Sequence, residues 1–197
     1  MSSEISLIFA TPIWTSLVEN YQTINDKMEK YIRNQKEKDL KGKKVSNIEG
    51  WHSQNFNLKD DEIVFFFQSI TPNIQKAMED MGWDLSKNKI EIPNIWSIIN
   101  KKRSSNAMHI HSNCYLSAAY YVKAPNDCGD IVFHDPRQSR LIRKPKLLKL
   151  NKLNGEEVNI KPKEGLLVLF PSYLYHSVNE SLSDNERIVI SFNVDLK

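Results

Sequence analysis

The sequence predicts a mainly β protein: a sandwich or jelly-roll barrel with N-terminal helices packed on its outside. Three observations predict it. Short strand-like runs recur from residue 90 onward, turn residues separate them, and helical periodicity is confined to about residues 20–83. No internal repeat, low-complexity tract or Pro/Gly-rich linker interrupts the chain. We therefore expect one domain over residues 1–197, with helical support at about 20–83 and a barrel core at about 90–197.

Residues 5–9 and 13–18 have the apolar, β-prone character of short strands, broken at Thr11-Pro12. Residues 21–38 carry a highly charged amphipathic helix pattern. Residues 41–57 contain Gly42 and Gly50 with little periodicity, which predicts a loop. Asp60-Asp61 offer a helix start ahead of Ile63, and Gly82 suits its end. Pro72 lies inside that pattern and predicts a kink or two shorter helices. The Phe65-Phe66-Phe67 run is apolar on more than one helix face, which leaves room for a homodimer through this region. Strands are then expected at 90–92, 95–100, 115–122, 131–133, 147–150, 158–160, 166–170 and 188–194. Pro125-Asn126-Asp127, Gly129-Asp130 and Asn154-Gly155 mark turns among them.

The 197 residues are 40% apolar and 26% charged, an ordinary globular composition. No run approaches the roughly 18 apolar residues of a membrane span. Met1-Ser2-Ser3-Glu4 lacks the basic start of a signal peptide. Cys114 and Cys128 form no CxxC pair, so we expect free thiols in a reducing, cytoplasmic setting. The net charge of +3 does not argue for a nucleic-acid partner. Basic clusters at 36–44, 101–103 and 137–152 lack interleaved aromatics and read as solvated faces.

The chemistry concentrates in the second half. His109 and His111 are two apart, so a strand would turn both imidazoles to one face. His176 follows an apolar strand and a Pro171-Ser172-Tyr173 turn, and would supply a third donor from a distant strand. Imidazole suits first-row metals, and three protein donors leave coordination positions open for O₂ chemistry. Arg187 sits in an alternating strand that puts Arg187 and Ser191 on one face. A buried guanidinium there needs an anionic partner, and its planar fork matches a carboxylate. Trp96, Tyr173 and Tyr175 are candidates for the pocket wall, with ordinary packing the stronger reading for Trp96.

These residues resemble the 2-oxoglutarate and Fe(II)-dependent oxygenases, and more closely a bacterial and phage branch of them. The resemblance runs through Thr11-Pro12-Ile13-Trp14, Gly50-Trp51-His52-Ser53 and His109-Ile110-His111. It continues with Tyr120-Tyr121-Val122, Phe133-His134-Asp135-Pro136-Arg137, Phe170-Pro171-Ser172 with His176, and Arg187 with Ser191-Phe192-Asn193. It implies a double-stranded β-helix fold. It also implies Fe(II) bound by His109 and His176, O₂ as a partner, and 2-oxoglutarate held through its far carboxylate by Arg187. Ser191, Asn106 and Tyr121 would assist in that pocket. His111 stands where the family's triad has a carboxylate, so either His111 is the third ligand or Asp135 supplies it. The implied reaction is oxidative decarboxylation of 2-oxoglutarate coupled to hydroxylation of a substrate the sequence does not name. Substrate choice would fall to the loops at 101–107 and 136–163.

A cupin-type metal protein shares the barrel and the paired histidines. It would want a glutamate where Tyr115 and Leu116 stand and a glycine where Arg103 stands, and it has no use for Arg187. A non-catalytic jelly-roll binding module remains open, because fold alone does not decide function. A zinc hydrolase ranks lower, since no general base is well placed beside three histidines.

Overall fold

In the computed structural model, residues 4–137 and 145–197 are described. Two antiparallel sheets face each other. The larger runs in the order β1 (Trp14–Leu17), β10 (Leu166–Pro171), β7 (Leu116–Lys123), β12 (Arg187–Leu196), β5 (Ile95–Asn100) and β3 (Trp51–His52). β4 (Ile90–Glu91) pairs the far end of β12. The smaller runs β2 (Asn47–Ile48), β6 (Ser105–His109), β11 (His176–Val178), β8 (Ile131–His134) and β9 (Glu157–Ile160). This is the expected jelly-roll, mainly β with flanking helices.

Two helices cover the outer face of the larger sheet. α1 (Tyr21–Lys38) buries Ile24, Met28, Tyr31 and Ile32, a stripe at helical spacing. α2 (Asp61–Asp80) buries Ile63, Phe66, Ile70, Ile74, Ala77 and Met78. Asp61 and Glu62 in its first turn suit the positive end of the helix dipole. Between helices and sheet lies the main core, to which β12 gives Ile188, Ile190, Phe192 and Val194. Phe66 packs edge-on against Tyr120 at 5.2 Å and Phe192 at 6.1 Å. Phe65 and Phe67 also rest on this core, so the phenylalanine run serves the chain's own packing. Tyr120 donates to Asn25 at 2.7 Å and pins α1 to β7. Gly165 has φ +78°, and a Cβ there would lie 2.2 Å from the Tyr21 ring, so the start of α1 can only seat on a glycine.

Four expectations change. Residues 5–9 form no strand; Ile5, Leu7, Ile8 and Phe9 are exposed, and β1 begins at Trp14 where β10 offers a partner. Residues 147–150 likewise form none, and Leu148 stands in solvent. Both segments have β-prone composition, yet neither pairs with a strand among the described residues. α2 is one helix rather than two. Pro72 is exposed, so the hydrogen bond it cannot make falls on the solvent side, while Ile70 and Ile74 keep the buried stripe continuous. The expected loop at 41–57 contains β2 and β3, too short to show periodicity. No helix among the described residues is long and apolar enough to cross a membrane. Residues 138–144, part of the basic cluster at 137–152 and of the expected specificity loop at 136–163, lie outside the described residues, as do residues 1–3.

Phe66→Ala removes the ring that joins α2 to β7 and β12. It should cost about 3–5 kcal/mol of unfolding free energy, read as a lower midpoint in urea with an unchanged slope.

Candidate metal centre and anion anchor

β12 divides its side chains between two environments. Ile188, Ile190 and Phe192 enter the helix-covered core, while Arg187, Val189, Ser191 and Asn193 line a cavity of ≈ 430 Å³ between the sheets. β5 does the same: Ile95 and Ile99 go to the core, Trp96 and Ile98 to the cavity. His52 on β3 pairs with Ile98 and also faces the cavity. Period-two alternation thus writes one face of three strands into a single site.

The three histidines meet there. His109 closes β6 and lies directly opposite His176 on β11. His111 lies past the strand's end, where its N–H donates to the Ser172 carbonyl at 3.0 Å. The two rings face the same way, as their spacing of two predicts, although only His109 lies within the strand. Ring centroids are 4.3 Å apart for His109–His176, 5.2 Å for His109–His111 and 5.1 Å for His111–His176. One nitrogen from each lies within 4.8 Å of the others.

The partners of the remaining nitrogens decide what this cluster can hold. His109 Nδ1 donates to the Ala107 carbonyl at 2.7 Å, and His176 Nδ1 to the Leu174 carbonyl at 3.0 Å. His111 Nδ1 donates to Asn193 Oδ1 at 2.6 Å. Carbonyl oxygens only accept, so each Nδ1 carries the proton and each Nε2 keeps its lone pair. Ser117 donates to the same Asn193 oxygen at 2.8 Å and lies 2.9 Å from His111 Nδ1, which fixes that ring. Burial holds all three imidazoles below their ordinary pKa. For His176, burial and the neighbouring His109 push it down to about 3. Three neutral imidazoles with free Nε2 atoms are a donor set that fits a first-row divalent metal.

Arg187 is 2% exposed. Its Nη1 donates to the Gly129 carbonyl at 2.9 Å, and its Nε has no partner. No carboxylate forms an ion pair with it among the described residues. Burial lowers its pKa, partly offset by Tyr121 and Cys128. Gly129 has φ +87°, and a Cβ there would lie 2.2 Å from the Asn179 carbonyl oxygen, so only glycine lets this carbonyl reach the guanidinium.

Of the other expected residues, Ser191, Asn106 and Tyr121 all line the cavity. The Asn106 amide is committed: its oxygen accepts from Asn100 Nδ2 at 3.3 Å and its nitrogen donates to Ser46 at 3.2 Å. Regular alternation along β7 would put Tyr121 and Lys123 on one face, but they do not share one. The pairing of β7 with β12 slips between Ile188 and Val189, so Tyr121 turns inward while Lys123 binds Glu29 of α1 at 2.9 Å. Asp135 is not brought to the histidines. It grips Arg137 through Nε at 2.9 Å and Nη2 at 2.8 Å, beside a separate hollow lined by Phe9 and Leu153. Trp96 lines the cavity and leans on His111 at 5.6 Å, whereas Tyr173 and Tyr175 are outside it and partly in solvent. Ser117 is not singled out by the sequence, and Asn193 appears there only as a member of the Ser191-Phe192-Asn193 motif, with no role of its own. Carrying the alternation of Arg187 and Ser191 one step further would have reached Asn193; no local pattern marks Ser117.

The family model described as "Putative 2OG-Fe(II) oxygenase" matches residues 94–193. A comparison with curated proteins finds no match. Among solved structures, the chain is similar to a Pseudomonas putida prolyl-4-hydroxylase at 13% identity and TM-score 0.64, over 93% of this chain and 92% of that one. It is similar to a viral collagen prolyl hydroxylase from Paramecium Bursaria Chlorella virus-1, in complex with 2OG, at 13% identity and TM-score 0.61, over 92% and 94%. HygX from Streptomyces hygroscopicus, with nickel and 2-oxoglutarate bound, aligns at 9% identity and TM-score 0.63, over 94% and 83%. At such identities these likenesses speak for the fold alone.

Asn193→Ala removes the acceptor that orients His111 and should weaken divalent-metal affinity about 10–100-fold, measured by competition with a chromophoric chelator. The buried His176 also makes metal-free stability depend on pH. An unfolded histidine titrates near ~6.5 and the folded His176 near about 3, so the unfolded chain binds more protons in between. Stability should be full above pH ~6.5 and fall steadily toward pH 3. Urea unfolding across that range should show the slope, and His176→Gln should flatten it.

Proposed function

Because the chain belongs to the 2OG-Fe(II) oxygenase family, we propose that His109, His111 and His176 hold its Fe(II) and that Arg187 anchors its 2-oxoglutarate. The protein is an Fe(II)- and 2-oxoglutarate-dependent dioxygenase, with 2-oxoglutarate and O₂ as cosubstrates. One observation carries the residue assignment: a fully buried guanidinium with a free Nε and no ion-pair partner among the described residues lines the same cavity as three unprotonated Nε2 atoms. A buried cation of this kind is costly unless an anion joins it, and a dicarboxylate bound at the cluster would bring one.

Bound together, Fe(II) and 2-oxoglutarate supply oxidative decarboxylation to succinate and CO₂, coupled to hydroxylation of a substrate C–H bond. The chain's own residues bind, orient and exclude. Arg187 offers the far carboxylate a charge-assisted hydrogen bond from Nε, while Gly129 holds the other side of the fork. Ser191, two steps along the same face, offers a hydroxyl beside it. Burial raises the Tyr121 phenol well above its ordinary pKa, so it stays protonated and serves as a donor, not a base. Val189, Ile131 and Phe170 give the cavity an apolar wall that keeps water from the reacting centre. His111 takes the carboxylate's place in the triad, so all three protein donors are neutral and the metal keeps its full charge. Both helices pack on the sheet that carries Arg187, and we take residues 1–197 as one working unit.

Fe(II) and 2-oxoglutarate added anaerobically should give a visible charge-transfer band in the wild type. Arg187→Met should retain iron and lose about 2 kcal/mol or more of 2-oxoglutarate affinity, by calorimetry. His176→Ala should lose both the metal and the band. Iron binding without any 2-oxoglutarate binding would return the cupin-type alternative.

A further inference from the structure

We propose that the substrate carries an anionic group, a carboxylate or phosphate, which Lys43 receives in the same cavity. The inference rests on the oxygenase reading above and concerns what remains once the cosubstrate is seated. Among the described residues the cavity is lined by two permanent cations, Lys43 and Arg187, and by no aspartate or glutamate at all. In the usual triad a ligand carboxylate offsets part of the metal's charge. Here His111 brings none. A divalent metal and two cations then face one dianionic cosubstrate, and the loaded cavity stays positive. Field lines in a low-dielectric cleft of one sign concentrate counter-charge there and oppose a cationic substrate.

Lys43 is placed to read that counter-charge. Its backbone is tied at both ends: its N–H donates to the His52 carbonyl at 2.8 Å, and its carbonyl accepts from Asn47 Nδ2 at 3.2 Å. Its ammonium has no hydrogen bond or ion pair among the described residues, although the side chain is half-buried. The other half-buried lysines among the described residues are engaged: Lys36 and Lys123 meet carboxylates and Lys27 lies over the Phe65 ring. Lys43 is also close enough to His52 to depress that imidazole's pKa, after the larger effect of burial. His52 stacks on Trp96 at 5.8 Å with 7° between the planes, and Trp96 leans on His111 at 5.6 Å. A continuous wall of rings therefore runs from the Lys43 neighbourhood to the histidine cluster. Asn94 Oδ1, buried and unpartnered on a residue of the same lining, can take a donor from the substrate body. A planar molecule lying along Trp96, anion toward Lys43, would satisfy each of these groups, and at ≈ 430 Å³ the cavity has the size of a small-molecule site.

The test uses the full chain loaded with Ni(II) and 2-oxoglutarate, which binds without turnover. Benzoate, phenyl phosphate and benzamide are titrated by calorimetry at fixed ionic strength. At least one anionic probe should bind about tenfold or more tighter than neutral benzamide, the scale of a hydrogen bond to a charged group; which one binds better separates carboxylate from phosphate. Lys43→Met should erase the difference, Lys43→Arg should keep it, and 2-oxoglutarate affinity should be the same in all three proteins. Equal binding of charged and neutral probes overturns the inference, as does failure of both anions to bind. Loss of 2-oxoglutarate affinity in Lys43→Met overturns it too, since Lys43 would then belong to the cosubstrate anchor. The nickel and 2-oxoglutarate titrations are read separately: if they fail while the anion preference stands, the oxygenase assignment falls and the anion site survives.

Discussion

The constraint on which this structure depends is the two-sidedness of β12. A strand bonded on both edges can send alternate side chains only up or down. Here one direction is a helix-covered apolar core and the other a polar cavity. Ile188, Ile190 and Phe192 bind the strand to α2, and that grip fixes the height of Arg187, Ser191 and Asn193 on the other side. The site is accurate because the core is well packed. The slip between β7 and β12 at Ile188/Val189 shows the same rule locally, since it sends Tyr121 inward and frees Lys123 to reach Glu29.

Burial then sets the chemistry. Removing three imidazoles from water favours their neutral forms, and carbonyl acceptors at every Nδ1 choose the tautomer. The same burial leaves Arg187 with a guanidinium that, among the described residues, hydrogen-bonds only the Gly129 carbonyl. One sheet-lined cavity thus holds electron-pair donors at one place and an unmet cation at another. These two deficits are complementary to a ligand that has both a chelating end and a charged end.

Much of this is legible in the sequence. Turn-separated apolar runs after residue 90 gave the barrel, because each strand's alternation is local. His109, His111, His176 and Arg187 were legible as residue types in a rare order, and the structure brings the first three together in the cavity that Arg187 lines. What stayed hidden depends on partners far away in the chain. Residues 5–9 and Asp135 look right by composition, yet the former pair with no strand among the described residues and Arg137 holds the latter. By residue type Trp96 reads as ordinary packing and the two tyrosines as wall, whereas strand pairing turns Trp96 inward and Tyr173 and Tyr175 lie outside the cavity. Ser117 matters only through Asn193, 76 positions later.

Gly129 shows how such a site limits the sequences that can encode it. It contacts no histidine and lies in a turn, where drift is usually tolerated. Yet its backbone occupies a region few other residues enter, Asn179 closes the space a side chain would need, and its carbonyl is the protein oxygen that meets Arg187. Any replacement must displace the turn and, with it, the carbonyl that the Arg187 guanidinium bonds. Position 129 is therefore confined to glycine by the same geometry that seats the arginine. A lineage could lose its anion anchor by a change at this turn while every residue of the histidine cluster and the arginine itself remained in place.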